Sequence, residues 1–334
     1  MQEGESVQEA LTFHFEGSLA DEHKLNFYES ARFQYAAARL LVKLAQFRQH
    51  GKFNKNISSK SNFDVNILVP TRGSFNINVE DEHQGNPDNQ FIDVSLGDLV
   101  SFVSERVVEK LDETSLKGSG VGKALRAKDV QPDGDSTVDD IVQKVIADGG
   151  ALADIPSNLR ALVKRRVAEV SREESLLHKS ASISKIDFAR GQNLVSMAAP
   201  LMSEMATALR RSADTLEVKS NTAGVSRTVL FLDQRMASEI ETAVVDEDVT
   251  LILCNVIQFN KDNGWGKIRF DNTSNNGSDL VSFSVPYDIL PYTKQTLIAA
   301  MNKDQVYIQA YFVRDRAGRV NRLIVAGILP APST

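Results

Sequence analysis

Residues 249–270 read VTLILCNVIQFNKDNGWGKIRF, and this stretch decides the fold of the C-terminal part of the chain. Asn255–Phe259 and Trp265–Phe270 each alternate apolar and polar side chains, which is typical of β-strands with one buried face. Lys261–Gly264 between them is rich in turn-forming residues. The pattern therefore predicts an antiparallel hairpin with Trp265 at the start of its second strand.

Two segments of this hairpin resemble the cold-shock domain, a small five-stranded barrel of the OB-fold type. Val256–Asn260 matches the valine, phenylalanine and asparagine positions of that family, and Gly264–Ile268 matches its glycine-aromatic-glycine segment. Leu280–Ser284 is similar to the second nucleic-acid-binding strand, and Gln305–Val313 with Arg322–Ala326 to the closing hairpin. The resemblance covers roughly the last quarter of the chain and implies a barrel that binds single-stranded nucleic acid.

Members of this family stack bases on exposed aromatic side chains that lie beside cations. We expect Trp265 to be the platform here, because Gly264 and Gly266 flank it and leave its face open. In the alternative, Trp265 packs on the helical layer, and Phe259 and Phe283 belong to the barrel core. The predicted nucleic-acid-binding residues are Phe259, Trp265, Lys267, Arg269, Phe283, Arg314 and Arg316.

The charges of the chain favour a local rather than a general phosphate-binding surface. The 38 Lys and Arg against 44 Asp and Glu give a net charge of -6, which argues against a generally basic coat protein. From Val249 onward, nine cations and six anions give +3, so the remainder carries -9. The chain departs from the cold-shock pattern at four positions where that family usually has an aromatic residue or histidine: Gln258, Lys267, Leu280 and Ser282.

The first third of the chain predicts a strand-helix-hairpin unit of the α+β class. Leu11–Phe15 alternates as a strand, and Asp64–Val69 with Ser74–Val79 predicts a hairpin. A second helix is predicted at Leu96–Leu111. The long helix before the hairpin has a predicted apolar stripe of residues three or four apart: Tyr28, Ala31, Tyr35, Ala38, Val42 and Ala45.

The N-terminal part is also faintly similar to uncharacterised bacterial proteins. The segments concerned are Phe15–Asp21, the helix at Phe27 and Tyr28, and Gly73–Phe75. This similarity implies a bacterial origin and supplies no activity. A place in an accessory or antiviral defence system is a hypothesis that rests on it.

The predicted fold class is a multidomain α+β chain with a helical middle and a C-terminal cold-shock-like OB barrel. Lys164–Arg166, on a predicted helix of the middle part, is expected to be a solvated face. The predicted divisions are an α+β domain of unknown role at 1–112, a helical region at 113–213, a strand-helix connector at 214–247 and the barrel at 248–330.

No motif supports catalysis, a cofactor or a metal site. Gly118–Lys123 lacks the first glycine and the hydroxyl residue of a phosphate-binding loop. The five histidines show no ligand spacing, and the single Cys254 excludes a Cys-based zinc site. The acidic N-terminus and the lack of a long apolar run predict a cytoplasmic protein with no leader and no membrane contact.

We therefore predict a non-enzymatic cytoplasmic protein whose barrel binds single-stranded RNA or DNA weakly and without strict sequence choice. The alternative is an interaction or assembly subunit, in which the barrel and the helix that carries Tyr28 and Tyr35 face a protein partner or a second copy. A third hypothesis is an enzyme with its site at Asp21, His23 or Arg32.

Overall fold

The fold is known from a computed structural model of the chain. It describes residues 9–58, 65–67, 76–81, 90–111, 138–147, 152, 155, 157–222, 224–246, 248–272, 277–303, 305–314 and 318–329. The glycine-rich segment 118–123 and the predicted site residue Arg316 lie outside these ranges.

Five antiparallel strands form the N-terminal sheet, in the order β2-β3-β1-β4-β5. The predicted first strand and hairpin are confirmed where the structure describes them, since β2 pairs with β3 from Val65 opposite Asp81 onward. The strands are β1 (Glu9–Glu16), β2 (Val65–Ile67), β3 (Asn76–Asp81), β4 (Thr215–Thr222) and β5 (Val225–Asp233).

Helix α1 (Phe27–His50) covers one face of this sheet. Every second residue of β1 is buried, and the Phe33 ring of α1 meets the rings of Phe13 and Phe15 edge-on at centroid distances of 5.4 and 4.9 Å. Asn26 begins the helix, because its side-chain oxygen accepts the backbone N–H of Tyr28 and of the residue after it. These contacts fix both the position and the rotation of α1.

The remaining helices of this part form a layer with α1. Within it, the helix α4 (Ser157–His178) packs against the helix α2 (Leu96–Val107) and against β5. The expected solvated face at Lys164–Arg166 is wrong: these three side chains are 10%, 5% and 7% exposed. The cations are buried because Glu16 pairs with Lys164, and Glu169 lies within 4 Å of both arginines. The helices are α2 (Leu96–Val107), α3 (Val138–Ala147), α4 (Ser157–His178), α5 (Ser180–Ile183), α6 (Phe188–Ala206) and α7 (Gln234–Thr242).

The strands of the predicted connector belong to the N-terminal sheet. β4 pairs along the whole of β1, from Glu9 opposite Thr222 to Glu16 opposite Thr215, and β5 follows at the edge. The domain boundaries at residues 112, 213 and 247 stay predictions. The pairing nevertheless means that β4 and β5 are strands of the N-terminal sheet and do not merely join two units.

A closed barrel of five strands forms the C-terminal part, in the order β7-β8-β9-β11-β10 with β10 pairing back to β7. The pairing of β9 with β11 is parallel, and the other four are antiparallel. This arrangement is compatible with an OB-like barrel. The elements are β6 (Val244–Val245) at the edge, β7 (Thr250–Phe259), β8 (Trp265–Asn272), β9 (Gly277–Ser284), β10 (Val306–Arg314), β11 (Val320–Leu329) and a helix that the sequence analysis missed, α8 (Leu290–Ala300).

A buried ionic cluster after α2 joins the barrel to the N-terminal part. The ammonium of Lys110 lies 2.6 Å from Glu105, and both side chains are fully buried. Lys110 also donates to the backbone oxygens of Asn263 and Val285, at 2.6 and 2.7 Å. Arg172 of α4 donates to the second oxygen of Glu105 at 3.2 Å. Burial lowers the pKa of Lys110, and the charge of Glu105 opposes that shift.

Candidate nucleic-acid interface

The outward face of β8 and β9, predicted to bind nucleic acid, is open at one end and covered at the other. Three cross-strand pairs follow this face from the exposed through the half-buried to the buried end. These pairs are Arg269 with Leu280, Lys267 with Ser282, and Trp265 with Ser284.

The chain's own segment after α2 lies against the covered end. Ser282 donates its hydroxyl to Glu109 at 3.0 Å, and the side-chain amide of Asn263 donates to the backbone oxygen of Leu111 at 3.1 Å. Trp265, at the same end, is 4% exposed. The expectation that its face is open to a base is therefore wrong in this conformation.

The glycines beside Trp265 serve packing rather than access. A Cβ at Gly266 would lie 2.4 Å from the Phe283 ring and 2.5 Å from the backbone oxygen of Gln258. The Phe283 ring is 1% exposed and stacks on the half-buried ring of Phe259 at 6.2 Å. Phe283 therefore lies in the core, as in the alternative that the sequence left open, and Phe259 packs against it.

The predicted cations of the barrel differ in availability. Arg269 is exposed, whereas the ammonium of Lys267 lies 5.2 Å from the centre of the Trp265 ring system. Arg314 donates to both carboxylate oxygens of Asp246 at 3.0 Å, so its charge is neutralised within the chain. The structure thus brings Trp265, Lys267 and Phe283 close together but leaves Arg269 as the accessible cation among the predicted residues that it describes.

A second surface combines exposed aromatic rings with cations on α1. The predicted apolar stripe of this helix is solvent-facing at its N-terminal end, where Tyr28 and Tyr35 are 67% and 65% exposed. The buried face instead carries Phe33, Leu40 and Leu44. The prediction that this stripe is buried is therefore wrong for Tyr28, Ala31, Tyr35 and Ala38 and confirmed for Val42 and Ala45, and the helix itself is confirmed.

Aromatic and cationic side chains alternate along this exposed face. The guanidinium of Arg32 lies 5.6 Å from the Tyr28 ring centre, and that of Arg39 lies 5.4 Å from the Tyr35 ring centre. The spacings of three and four residues place all four side chains, with Lys43 one turn further on, along one side of the helix. Together they form a ladder of rings and positive charges.

The ladder leads into a groove of about 840 Å³ between α1, the segment after it and α6. The lining residues are Tyr35, Ala36, Arg39 and Lys43 from α1, Phe53 and Lys55 from the following segment, and Asn193, Ser196, Met197, Pro200, Leu201 and Glu204 from α6.

Positive charge in this groove is not neutralised by the part of the chain that the structure describes. Glu204, the carboxylate in the lining, is held by Arg32 through two guanidinium nitrogens. No ion pair joins Arg39, Lys43 or Lys55 to a described carboxylate. The ladder and groove therefore attract anions and offer rings on which flat ligands can stack.

The sequence contains a signal for this surface, although the stripe prediction assigned the same tyrosines to a buried face. The order Tyr28, Arg32, Tyr35, Arg39, Lys43 is visible as alternating residue types at helical spacing. The two tyrosines also complete an apolar stripe with neighbouring alanines, and that stripe predicts burial. Phe53 and Lys55 join the site through the turn after α1, and no periodicity indicates that.

The chain matches no protein-family model, no curated protein and no solved structure. In the described ranges, no three His, Cys, Asp or Glu side chains are grouped so that they could hold a metal ion. The helices in those ranges include none that is long and apolar enough to cross a membrane.

Proposed function

We propose that this chain is a non-enzymatic protein that binds single-stranded nucleic acid through the α1 ladder and groove. The observation that carries the proposal is the alternation of Tyr28, Arg32, Tyr35 and Arg39 beside a groove whose cations have no described carboxylate partner. Binding is expected to be weak and without strict sequence choice, because rings and point charges do not read base edges.

The geometry favours unpaired bases as the stacking groups. Tyr28 and Tyr35 are seven residues apart, which places them about 10.5 Å apart along the helix. Each exposed ring can hold one base, and such stacking contributes about 1–3 kcal/mol per base. Bases inside a duplex already stack on one another, so they are not free to use these rings. The cations then contact the phosphates that link the stacked nucleotides.

The proposal gives the barrel a supporting role. We infer an OB-type barrel from its strand order, its parallel β9–β11 pairing and the helix between its third and fourth strands. Kinship with cold-shock domains remains part of the proposal and rests on the Gly264–Ile268 segment. Arg269 at the open end of the barrel can add a phosphate contact but has no accessible tryptophan beside it.

Anisotropy titrations of labelled single-stranded RNA and DNA at several salt concentrations test this function. We expect Y35A to weaken binding about tenfold, which corresponds to the loss of one stacked base. R39Q should weaken binding. It should also reduce the slope of log affinity against log salt concentration by about 1, which corresponds to the loss of one phosphate contact. Tyr35 is exposed and Arg39 is half-buried without a described ion-pair partner, so neither change should unfold the protein.

R269Q on the barrel is the matched control, because it removes an exposed cation elsewhere. The proposal expects it to bind almost as well as the wild type. If R269Q lost binding while Y35A and R39Q kept wild-type affinity, the binding site would lie on the barrel, and the proposal would be contradicted.

An interaction or assembly role is the second candidate, and exposed apolar side chains favour it. Phe27 is 89% exposed at the start of α1, and Leu251, Leu253 and Leu280 are 50%, 39% and 55% exposed on the barrel. Light scattering over a range of concentrations distinguishes the two candidates. Oligomers that form without nucleic acid and are lost in an F27S variant would support assembly.

A further inference from the structure

Lys43 lies at the floor of the groove in an unusual environment for a lysine. The residue is 6% exposed, and its ammonium donates to the backbone oxygen of Lys55 at 3.1 Å. The ring centre of Phe53 lies 5.3 Å from the same nitrogen. A ring and a carbonyl therefore hold the charge in place, and neither is an anion.

Two further cations face the same space. Arg39 precedes Lys43 by one helical turn, and Arg39 and Lys55 both belong to the lining of the groove. Burial, and then the charge of Arg39, lower the pKa of Lys43. Glu204, the carboxylate facing the groove from α6, is engaged by Arg32. An anion in the groove would reduce the repulsion between the positive charges of Arg39 and Lys43.

We propose that Arg39, Lys43 and Lys55 form a pocket for a dianionic phosphate monoester, the group found at the phosphorylated end of a strand. This inference rests on the proposed function and specifies which part of the ligand enters the groove. The stacked bases would then lie along the ladder at Tyr28 and Tyr35, with the terminal phosphate at its end.

Charge distinguishes a terminal phosphate from the phosphates within a strand. A phosphodiester carries one negative charge, whereas a monoester carries about 1.5 to 2 at neutral pH and has three terminal oxygens. Three cations without described carboxylate partners match the monoester better. Asn193 and Ser196 line the opposite wall from α6, and their side chains can donate hydrogen bonds to the remaining oxygens.

The test compares oligonucleotides of one sequence with a 5′-phosphate, a 3′-phosphate or hydroxyl ends. We expect the wild type to bind the strand with a 5′-phosphate or the strand with a 3′-phosphate about tenfold more tightly than the hydroxyl-ended strand. This is the effect expected of about one added negative charge at contact distance from a cation. K43M should abolish this preference, so that it binds the phosphorylated and the hydroxyl-ended strands with equal affinity. K43R, which keeps the charge, should retain the preference.

The matched control is K52Q, which removes an exposed lysine close in sequence to the groove but outside its lining. It should leave the preference unchanged. Inorganic phosphate and a mononucleotide serve as competitors. The first is the free phosphate anion, and the second carries a phosphate monoester on a single nucleotide without a strand. Weak competition by both supports a strand end as the source of the phosphate.

The outcomes separate this inference from the function on which it rests. Equal affinity for phosphorylated and hydroxyl-ended strands overturns the pocket and leaves nucleic-acid binding intact. A preference that survives in K43M overturns the assignment to Lys43. A mononucleotide that binds as tightly as the phosphorylated strand overturns the strand end as ligand. The absence of binding to every strand overturns the proposed function itself.

Discussion

At the scale of single residues, Gly266 determines how the strand that contains Trp265 is packed. A hydrogen in place of a side chain lets the Phe283 ring and the Gln258 carbonyl approach the β8 backbone closely. The sequence shows that a glycine lies on each side of Trp265. It does not show whether the close neighbour is a ligand or a core side chain, because a small residue permits either.

G266A is predicted to destabilise the protein by about 1–3 kcal/mol, the usual range for overpacking a core. The added methyl group would lie 2.4 Å from the Phe283 ring, and β9 would have to move to accommodate it. Urea unfolding measures the change in the free energy of unfolding. G191A is the control, since its Cβ would meet Phe102 at an ordinary 3.7 Å and alanine favours the α6 helix. Equal stability of G266A and the wild type would contradict the packing role.

At the scale of elements, the segment after α2 decides what the barrel face can contact. Glu109, Lys110 and Leu111 bond to β9 and to the turn before β8, where the sequence predicted a ligand. The alternation of apolar and polar residues identifies the strands of the barrel, but it does not show which other segment of the chain lies against them. The buried cations of Lys164–Arg166 were missed for a related reason, because their carboxylate partners come from other elements or from further along the same helix.

K110M is predicted to lower the free energy of unfolding by about 3 kcal/mol or more, because it leaves Glu105 buried without its closest partner. The change also removes two hydrogen bonds to the barrel backbone. Chemical unfolding of the full chain gives the value. K52M, at an exposed position on another surface, should remain within about 0.5 kcal/mol of the wild type. A K110M variant as stable as K52M would mean that the ionic cluster does not join the two parts.

Helices show the same division between what can and cannot be predicted. The existence of α1 and its approximate length follow from its periodicity. The rotation of α1 could not be derived, since tyrosines and alanines suit either a buried or an exposed face. α8 was missed because its apolar residues show no clear helical stripe and its first turn contains Pro291.

At the scale of the whole molecule, the pairing of β1 with β4 links the start of the chain to residues beyond the helical middle. Alternation predicted β1, but the partner of a strand depends on long-range packing that local periodicity does not contain. The resulting sheet supports α1, which in turn orients the ladder and one wall of the groove. The anion-binding surface is therefore a product of the assembled fold rather than of one segment.

The central claim, that α1 rather than the barrel holds the nucleic acid, is tested most directly by photo-cross-linking a single-stranded oligonucleotide to the full chain. Peptides carrying the nucleotide would be mapped by mass spectrometry at low and high salt. The account predicts cross-links at Tyr28, Tyr35 or Phe53 that are lost as salt rises. Cross-links confined to Phe259, Trp265 or the rest of β8 would contradict it, because they would require the barrel face to open and accept the strand.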